Sequence, residues 1–146
     1  MKWESFSASL DLSRQSKAYF EISLGGSDAP ARRLRAHGWH LSNPLRTSLG
    51  PWACQEYIHQ SKAEFSVAKH AYVISHSGWF SERTAAHLAS GLPAVAQDTG
   101  FRDWLPSGAG LYSLGSPGEA LAGVEAIEDR YKVPQPSGPF IERGVF

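Results

Sequence analysis

The sequence predicts an α/β fold in which a parallel sheet is flanked by helices. Short aromatic and β-branched runs alternate with helical patterns over most of the 146 residues, the order expected of strand–helix–strand units. Several runs end in glycine, serine or aspartate, followed by residues suited to opening a helix. No stretch repeats itself with a period of about 20–50 residues, which sets aside solenoids and propellers.

Each element has its own local reason. Residues 1–17 are polar and serine-rich, with Trp3, Phe6 and Leu10 as apolar anchors, and read as an irregular lead-in or linker. Residues 18–24 (AYFEISL) form a strand pattern that stops at Gly25-Gly26. Ser27 or Asp28 can cap a helix with Pro30 in its first turn, running to Gly38. Trp39-His40-Leu41 is a second strand, closed by Asn43-Pro44. Pro51 opens a helix in which Trp52, Tyr57 and Ile58 recur near helical spacing. Residues 64–68 are a strand, and residues 71–75 a further extended stretch. Ser81 caps a helix that ends at Gly91, and residues 93–97 return as a strand. A loop rich in Gly, Asp and Pro leads to a weakly extended segment at 110–114. Ser116 and Pro117 start the last helix, with Leu121, Val124 and Ile127 on one side, reaching Tyr131. Residues 132–146 hold three prolines and no amphipathic period, and read as an irregular tail. The division is therefore lead-in 1–17, domain 18–131 and tail 132–146.

Composition narrows the function. Apolar residues make up 42% and charged residues 19%, unlike a disordered segment. Fourteen basic side chains balance fourteen acidic ones, so no net field attracts nucleic acid, and none is expected as a partner. The single cysteine, Cys54, excludes an internal disulfide framework and a multi-thiolate zinc site. It lies in a helical pattern with aromatic neighbours, where a buried thiol is expected rather than a nucleophile. Six histidines show no HExxH or comparable spacing, so no metal cofactor is expected. No run approaches the roughly 18 apolar residues of a membrane span, and the first residues lack the apolar block of a signal peptide. A cytoplasmic protein is the expectation.

Three loops have ligand-friendly composition at the strand ends where open α/β sheets bind ligands. The first is Gly25-Gly26, which either admits a phosphate or merely serves the turn's geometry. The second runs from His76 to Arg83. Gly78 allows close backbone approach, and Ser81 begins a helix whose free N–H groups and dipole favour an anion. Arg83 adds a guanidinium, and Lys69 and His76 can add further positive charge. The plainer alternative makes Ser81 only a cap, pairs Arg83 with a carboxylate, and places Trp79 and Phe80 in the core. The third loop, Gln97-Asp98-Thr99-Gly100, offers donors and acceptors for sugar hydroxyls, or else an Asx turn.

Taken together, the run EFSVAKHAYVISHSGWFSERTAAHLASGLPAVAQDTGF, residues 64–101, resembles a stretch of bacterial glycosyltransferases of the GT-B architecture. The flanking FEISLGG, LRAHGW and LPSGAGLYSLGSPGEALAGVEAI are similar to the same lobe, so the resemblance covers residues 18–131. Those enzymes have two facing Rossmann-like lobes, of which the C-terminal one binds the nucleotide-sugar donor. The resemblance implies that the backbone of Gly78, Trp79 and Phe80, with the Ser81 hydroxyl, contacts the donor diphosphate, flanked by Arg83 and Lys69. HSGWFS also resembles the HCGWNS string of plant-type glycosyltransferases, which favours His76 and Ser81 as diphosphate contacts. Gln97 and Asp98 are similar, in reversed order, to the pair that holds sugar hydroxyls there, with Thr99 and Gly100 beside them. Gly25, Gly26, Trp39, His40 and Leu41 would serve the nucleobase and phosphate side.

The sequence also departs from that pattern. Many such enzymes carry two glutamates around this turn, and the matching positions here hold Gly78 and Ala86. The acceptor-activating base of that family usually lies on an N-terminal lobe, which this chain does not carry. The implied function is donor binding and leaving-group stabilisation by a partial chain, inactive alone, on a UDP-, GDP- or dTDP-sugar. An N-terminal acceptor lobe would be its partner. The alternative is a stand-alone, non-catalytic α/β nucleotide- or sugar-binding or interaction module.

Overall fold

A computed structural model describes residues 2–25, 30–108 and 110–132. Within them the chain is a Rossmann-like α/β lobe built of short parallel strands and flanking helices. Strands β1 (Glu21–Ser23) and β2 (His40–Ser42) form one parallel pair, with Glu21 opposite His40 and Ser23 opposite Ser42. Strands β3 (Glu64–Ser66), β4 (Ala94–Gln97) and β5 (Leu111–Leu114) form a parallel sheet in the order β3-β4-β5. Parallel neighbours need crossovers, and helices supply most of them. In chain order these helices are α1 (Lys2–Ser7), α2 (Leu12–Gln15), α3 (Ala31–Ala36), α4 (Pro44–Ser48), α5 (Pro51–Gln60), α6 (His70–Ile74), α7 (Glu82–Ala89) and α8 (Pro117–Lys132). A single 3₁₀ turn, Phe101–Asp103, lies between β4 and β5.

Two expectations fail here. Residues 2–15 are not an irregular lead-in, because α1 and α2 form there and bury Leu10 and Leu12 in the main core. The Trp39 indole donates to the Leu10 carbonyl at 2.7 Å, and Phe6 packs edge-on to Trp39. Ser13 and Arg14 donate to the carbonyls of His37 and Ala36 at the end of α3. Serine-rich composition masked a helix whose few apolar anchors all find partners. Residues 71–75 are also not extended. They lie largely in α6, a single helical turn that leaves Ile74 exposed. The tail expected at 132–146 lies outside the described residues beyond Lys132.

Side chains alternate across β4, and that alternation divides the core. Val95 faces Leu114, Ala120, Val124 and Ile127, in a cluster that reaches Phe20, Leu34 and Trp39. Ala94 and Ala96 face the other way, toward Phe101 and Leu111, with Phe80 and Leu88 against them. Gly123 brings α8 close to the sheet. A Cβ there would meet Tyr112 at 3.1 Å and Val95 at 3.2 Å. No helix among the described residues is long and apolar enough to cross a membrane.

Candidate functional site

The turn from His76 to Ser81 follows β3 and α6, and its shape rests on unusual backbone. Gly78 has φ 69°, and a Cβ there would meet the Trp104 indole nitrogen at 3.2 Å. His76 adopts φ 45°, the one positive value outside glycine among the described residues. The loop after β4 then closes against it. Gly100 has φ 92°, and its missing Cβ would lie 3.1 Å from the His76 carbonyl oxygen. The Gly78 N–H donates to the Thr99 carbonyl at 2.7 Å, and the Thr99 hydroxyl donates to the Trp79 carbonyl at 2.5 Å. Thr99 is fully buried, so these bonds are shielded from water. The two loops form one unit at the carboxyl ends of adjacent strands.

Helix α7 opens on this unit. The Ser81 hydroxyl accepts from the Arg83 N–H at 3.3 Å, which caps the helix and leaves its own proton free to donate. Thr84 and His87, one turn apart, face inward, and His87 Nδ1 meets the Arg83 carbonyl at 2.9 Å. The first-turn N–H groups and the helix dipole make this end attractive to an anion.

The cations around it are placed differently from one another. Arg83 Nε lies 3.9 Å from Glu64 Oε1, while its side chain stays 60% exposed. Glu64 is buried on β3, with Oε2 lacking a hydrogen-bond partner. The Lys69 ammonium sits 5.8 Å from the Tyr72 ring centre, and Tyr72 stacks on Trp79 at 5.1 Å. His76 is exposed. His76, Gly78, Trp79, Phe80, Ser81 and Lys69 are therefore gathered around one turn, while the Arg83 side chain leaves the first turn of α7 toward Glu64 at the start of β3.

The polar groups of the next loop are mostly spent on structure. Gln97 Oε1 accepts from the Ala68 N–H at 3.0 Å. Asp98 Oδ1 accepts from the Gly100 N–H at 2.9 Å, an Asx turn, while Oδ2 lies 3.3 Å from Arg102 Nε. Arg102 Nε also donates to the Ser113 hydroxyl on β5 at 2.7 Å. Between α7 and the sheet, a cavity of about 10 Å³ is lined by Ser66, Ser81, Thr84 and Gln97 among others, room for one water.

The third group does not join the other two. Gly25 is exposed after β1, and Gly26 lies outside the described residues. Trp39 is buried in the core, His40 stacks on Tyr19 at 4.1 Å, and Leu41 packs against the core cluster. Trp39 and His40 stand at the amino end of β2, whereas the His76–Ser81 turn follows the carboxyl end of β3. Cys54 is exposed on α5, contrary to the buried thiol expected: it lies one turn ahead of Ile58, and burial on that face does not extend back to the first turn of the helix. No group of histidine, cysteine and acidic residues suited to a metal exists among the described residues.

One feature escaped sequence reasoning. Glu21, Ser23 and Ser42 point to the side of β1–β2 covered by α4 and α5, and Ser23 bonds Thr47 across that gap at 2.9 Å. A cavity of about 370 Å³ opens there, lined by Glu21, Ser42, Thr47, Ala53, Glu56, Tyr57, Gln60 and Ser61. Burial first, and then the charge of Glu21 beside it, push the Tyr57 hydroxyl up to about 12. The polar–apolar–polar alternation of Glu21-Ile22-Ser23 and His40-Leu41-Ser42 was the available signal.

Comparison with protein-family models, curated proteins and solved structures finds no match to this chain. The reading of the site therefore rests on its own geometry and chemistry.

Proposed function

We propose that the chain is the nucleotide-sugar-binding lobe of a glycosyltransferase of the GT-B architecture, acting in the cytoplasm. The observation that carries this reading is the locked pair of loops at the carboxyl ends of β3 and β4, with the α7 N-terminus opening on it. The donor diphosphate would lie over the Gly78–Ser81 backbone. The α7 dipole, the exposed Arg83 and Lys69, and His76 would offset its charge as it leaves the sugar. The exposed parts of Gln97 and Asp98 would face the sugar.

Transfer in this reading needs a second lobe to bind the acceptor and exclude water. The exposed apolar residues support such a partner. Among the described residues, Leu45, Leu49, Trp52, Ile74 and Trp104 are exposed in the segments that connect one strand's carboxyl end to the next strand, and Tyr19 is exposed ahead of β1. The alternative, a non-catalytic binding module, is favoured by the one-water size of the cavity behind the turn.

Calorimetric titration of the full chain with UDP, GDP and dTDP tests the reading. Binding in the millimolar range or tighter is expected, weakened at least fivefold by Arg83→Ala. A folded chain that binds none of the three at millimolar concentration overturns it.

A further inference from the structure

The strongest unexplained feature of the molecule is the polar side of β1–β2. A parallel sheet is normally apolar on both faces, because helices cover both. Here Ile22 and Leu41 obey that rule on the core side. On the opposite side Glu21, Ser23 and Ser42 break it, and α5 answers them with Tyr57, Glu56 and Gln60 rather than with leucines. The helix stands off from the strands and encloses about 370 Å³, within the range of roughly 300–1,000 Å³ typical of small-molecule sites.

The lining chemistry is selective. Glu21 and Glu56 bring two carboxylates; neither forms an ion pair among the described residues, and Glu21 accepts from the Tyr57 hydroxyl. No described lining residue is cationic, and Arg83 acts on Tyr57 only from outside the lining. Ser42, Thr47, Tyr57 and Ser61 bring hydroxyls, and Gln60 an amide that already donates to Glu56 at 2.6 Å. The Ser42 hydroxyl is closed off from bulk solvent, with the Tyr57 hydroxyl in reach but outside normal hydrogen-bond geometry. A surplus of acceptors and negative charge suits a ligand rich in donors and carrying a cation. An anionic diphosphate is the wrong occupant.

We propose that this cavity is a second binding site, taking a small polyhydroxylated amine of aminohexose size. Glu21, at the inner wall, pairs with the ammonium group. Glu56 and Gln60 hold hydroxyls at the rim, and Ser42 and Tyr57 meet the ring from the strand and helix sides. The site is independent of the donor reading, since it lies on the β1–β2 pair and uses none of the residues of the His76–Arg83 turn.

Calorimetric titration of the full chain with glucosamine tests the proposal, with glucose and N-acetylglucosamine as uncharged comparisons. Saturable glucosamine binding is expected, at least tenfold tighter than either comparison. Glu21→Gln should remove that preference, and Ala53→Phe should abolish binding by filling the cavity. Glu56→Gln, on the exposed rim where folding is not at stake, should weaken glucosamine binding severalfold. Equal affinity for glucose and glucosamine overturns the proposal, as does the absence of saturable binding in a chain with unchanged circular dichroism. The lining residues lie outside the His76–Arg83 turn, so glucosamine and nucleotide binding by the parent chain are measured separately and the two readings fail separately.

Discussion

The β3–β4–β5 sheet and the β1–β2 pair obey the same topology and differ in what they bury. In the first, Ala94, Val95 and Ala96 are sealed on both faces, between α8 on one side and Phe101 with Phe80 on the other. In the second, no residue of either strand reaches full burial, and one face carries glutamate and serine. A parallel sheet can therefore be half dry core and half cavity wall. The difference comes from the covering helices: α8 brings Val124, Ile127 and Gly123 to its strands, while α5 brings Tyr57, Glu56 and Gln60.

The largest expected effect separates the two regions by truncation. Phe101→Ala should cost about 3–5 kcal/mol in urea denaturation, because the ring is sealed under β4. Ile22→Ala, on the half-buried β1, should cost roughly half as much or less. Equal losses would break the comparison.

A smaller effect distinguishes a buried hydroxyl without a protein partner from one with a partner in reach. Thr84 on α7 is buried with its hydroxyl unpaired, so Thr84→Val, of like shape, should stabilise the chain by about 1 kcal/mol. Ser42 has the Tyr57 hydroxyl in reach at the larger cavity. Ser42→Ala should stay within about 0.5 kcal/mol of the parent. Matching gains at both sites would mean that the Ser42 hydroxyl is as unsatisfied as that of Thr84.

The last effect is a pH dependence. Tyr57 titrates near 12 in the folded chain and about 10 when unfolded, so folding favours its neutral form. That contribution is fully present below pH ~10 and is lost as pH rises through about 12. Denaturation midpoints measured across that window should fall less steeply in Tyr57→Phe. An unchanged slope would remove Tyr57 from the Glu21 wall.

What the sequence made legible follows the same divide. Where side-chain pattern and local capping agree, as at Ser81 before α7 and at Pro51 and Pro117 at the starts of α5 and α8, the elements stand where the pattern places them. The helices at 2–15 were hidden because their anchors are few and bond to distant partners, as Trp39 does to Leu10. Residues 71–75 carry β-branched and aromatic side chains typical of a strand, but the turn at His76 holds them in one helical coil. At the candidate site the gathering of His76 to Ser81 was readable from one continuous motif. The burial of Thr99 and Trp39 was not, since it depends on contacts between segments far apart in the chain. The β1–β2 cavity was half visible, in the alternation of Glu21-Ile22-Ser23, but its other wall comes from α5 and needs the fold.

The bonds from the Gly78 N–H to the Thr99 carbonyl and from the Thr99 hydroxyl to the Trp79 carbonyl have a mechanical consequence. Because each loop holds the other, neither can open alone, and the Gly78 amide should exchange its proton only when both come apart together. The turn is thus a latch with a single release, set by a threonine with no path to solvent.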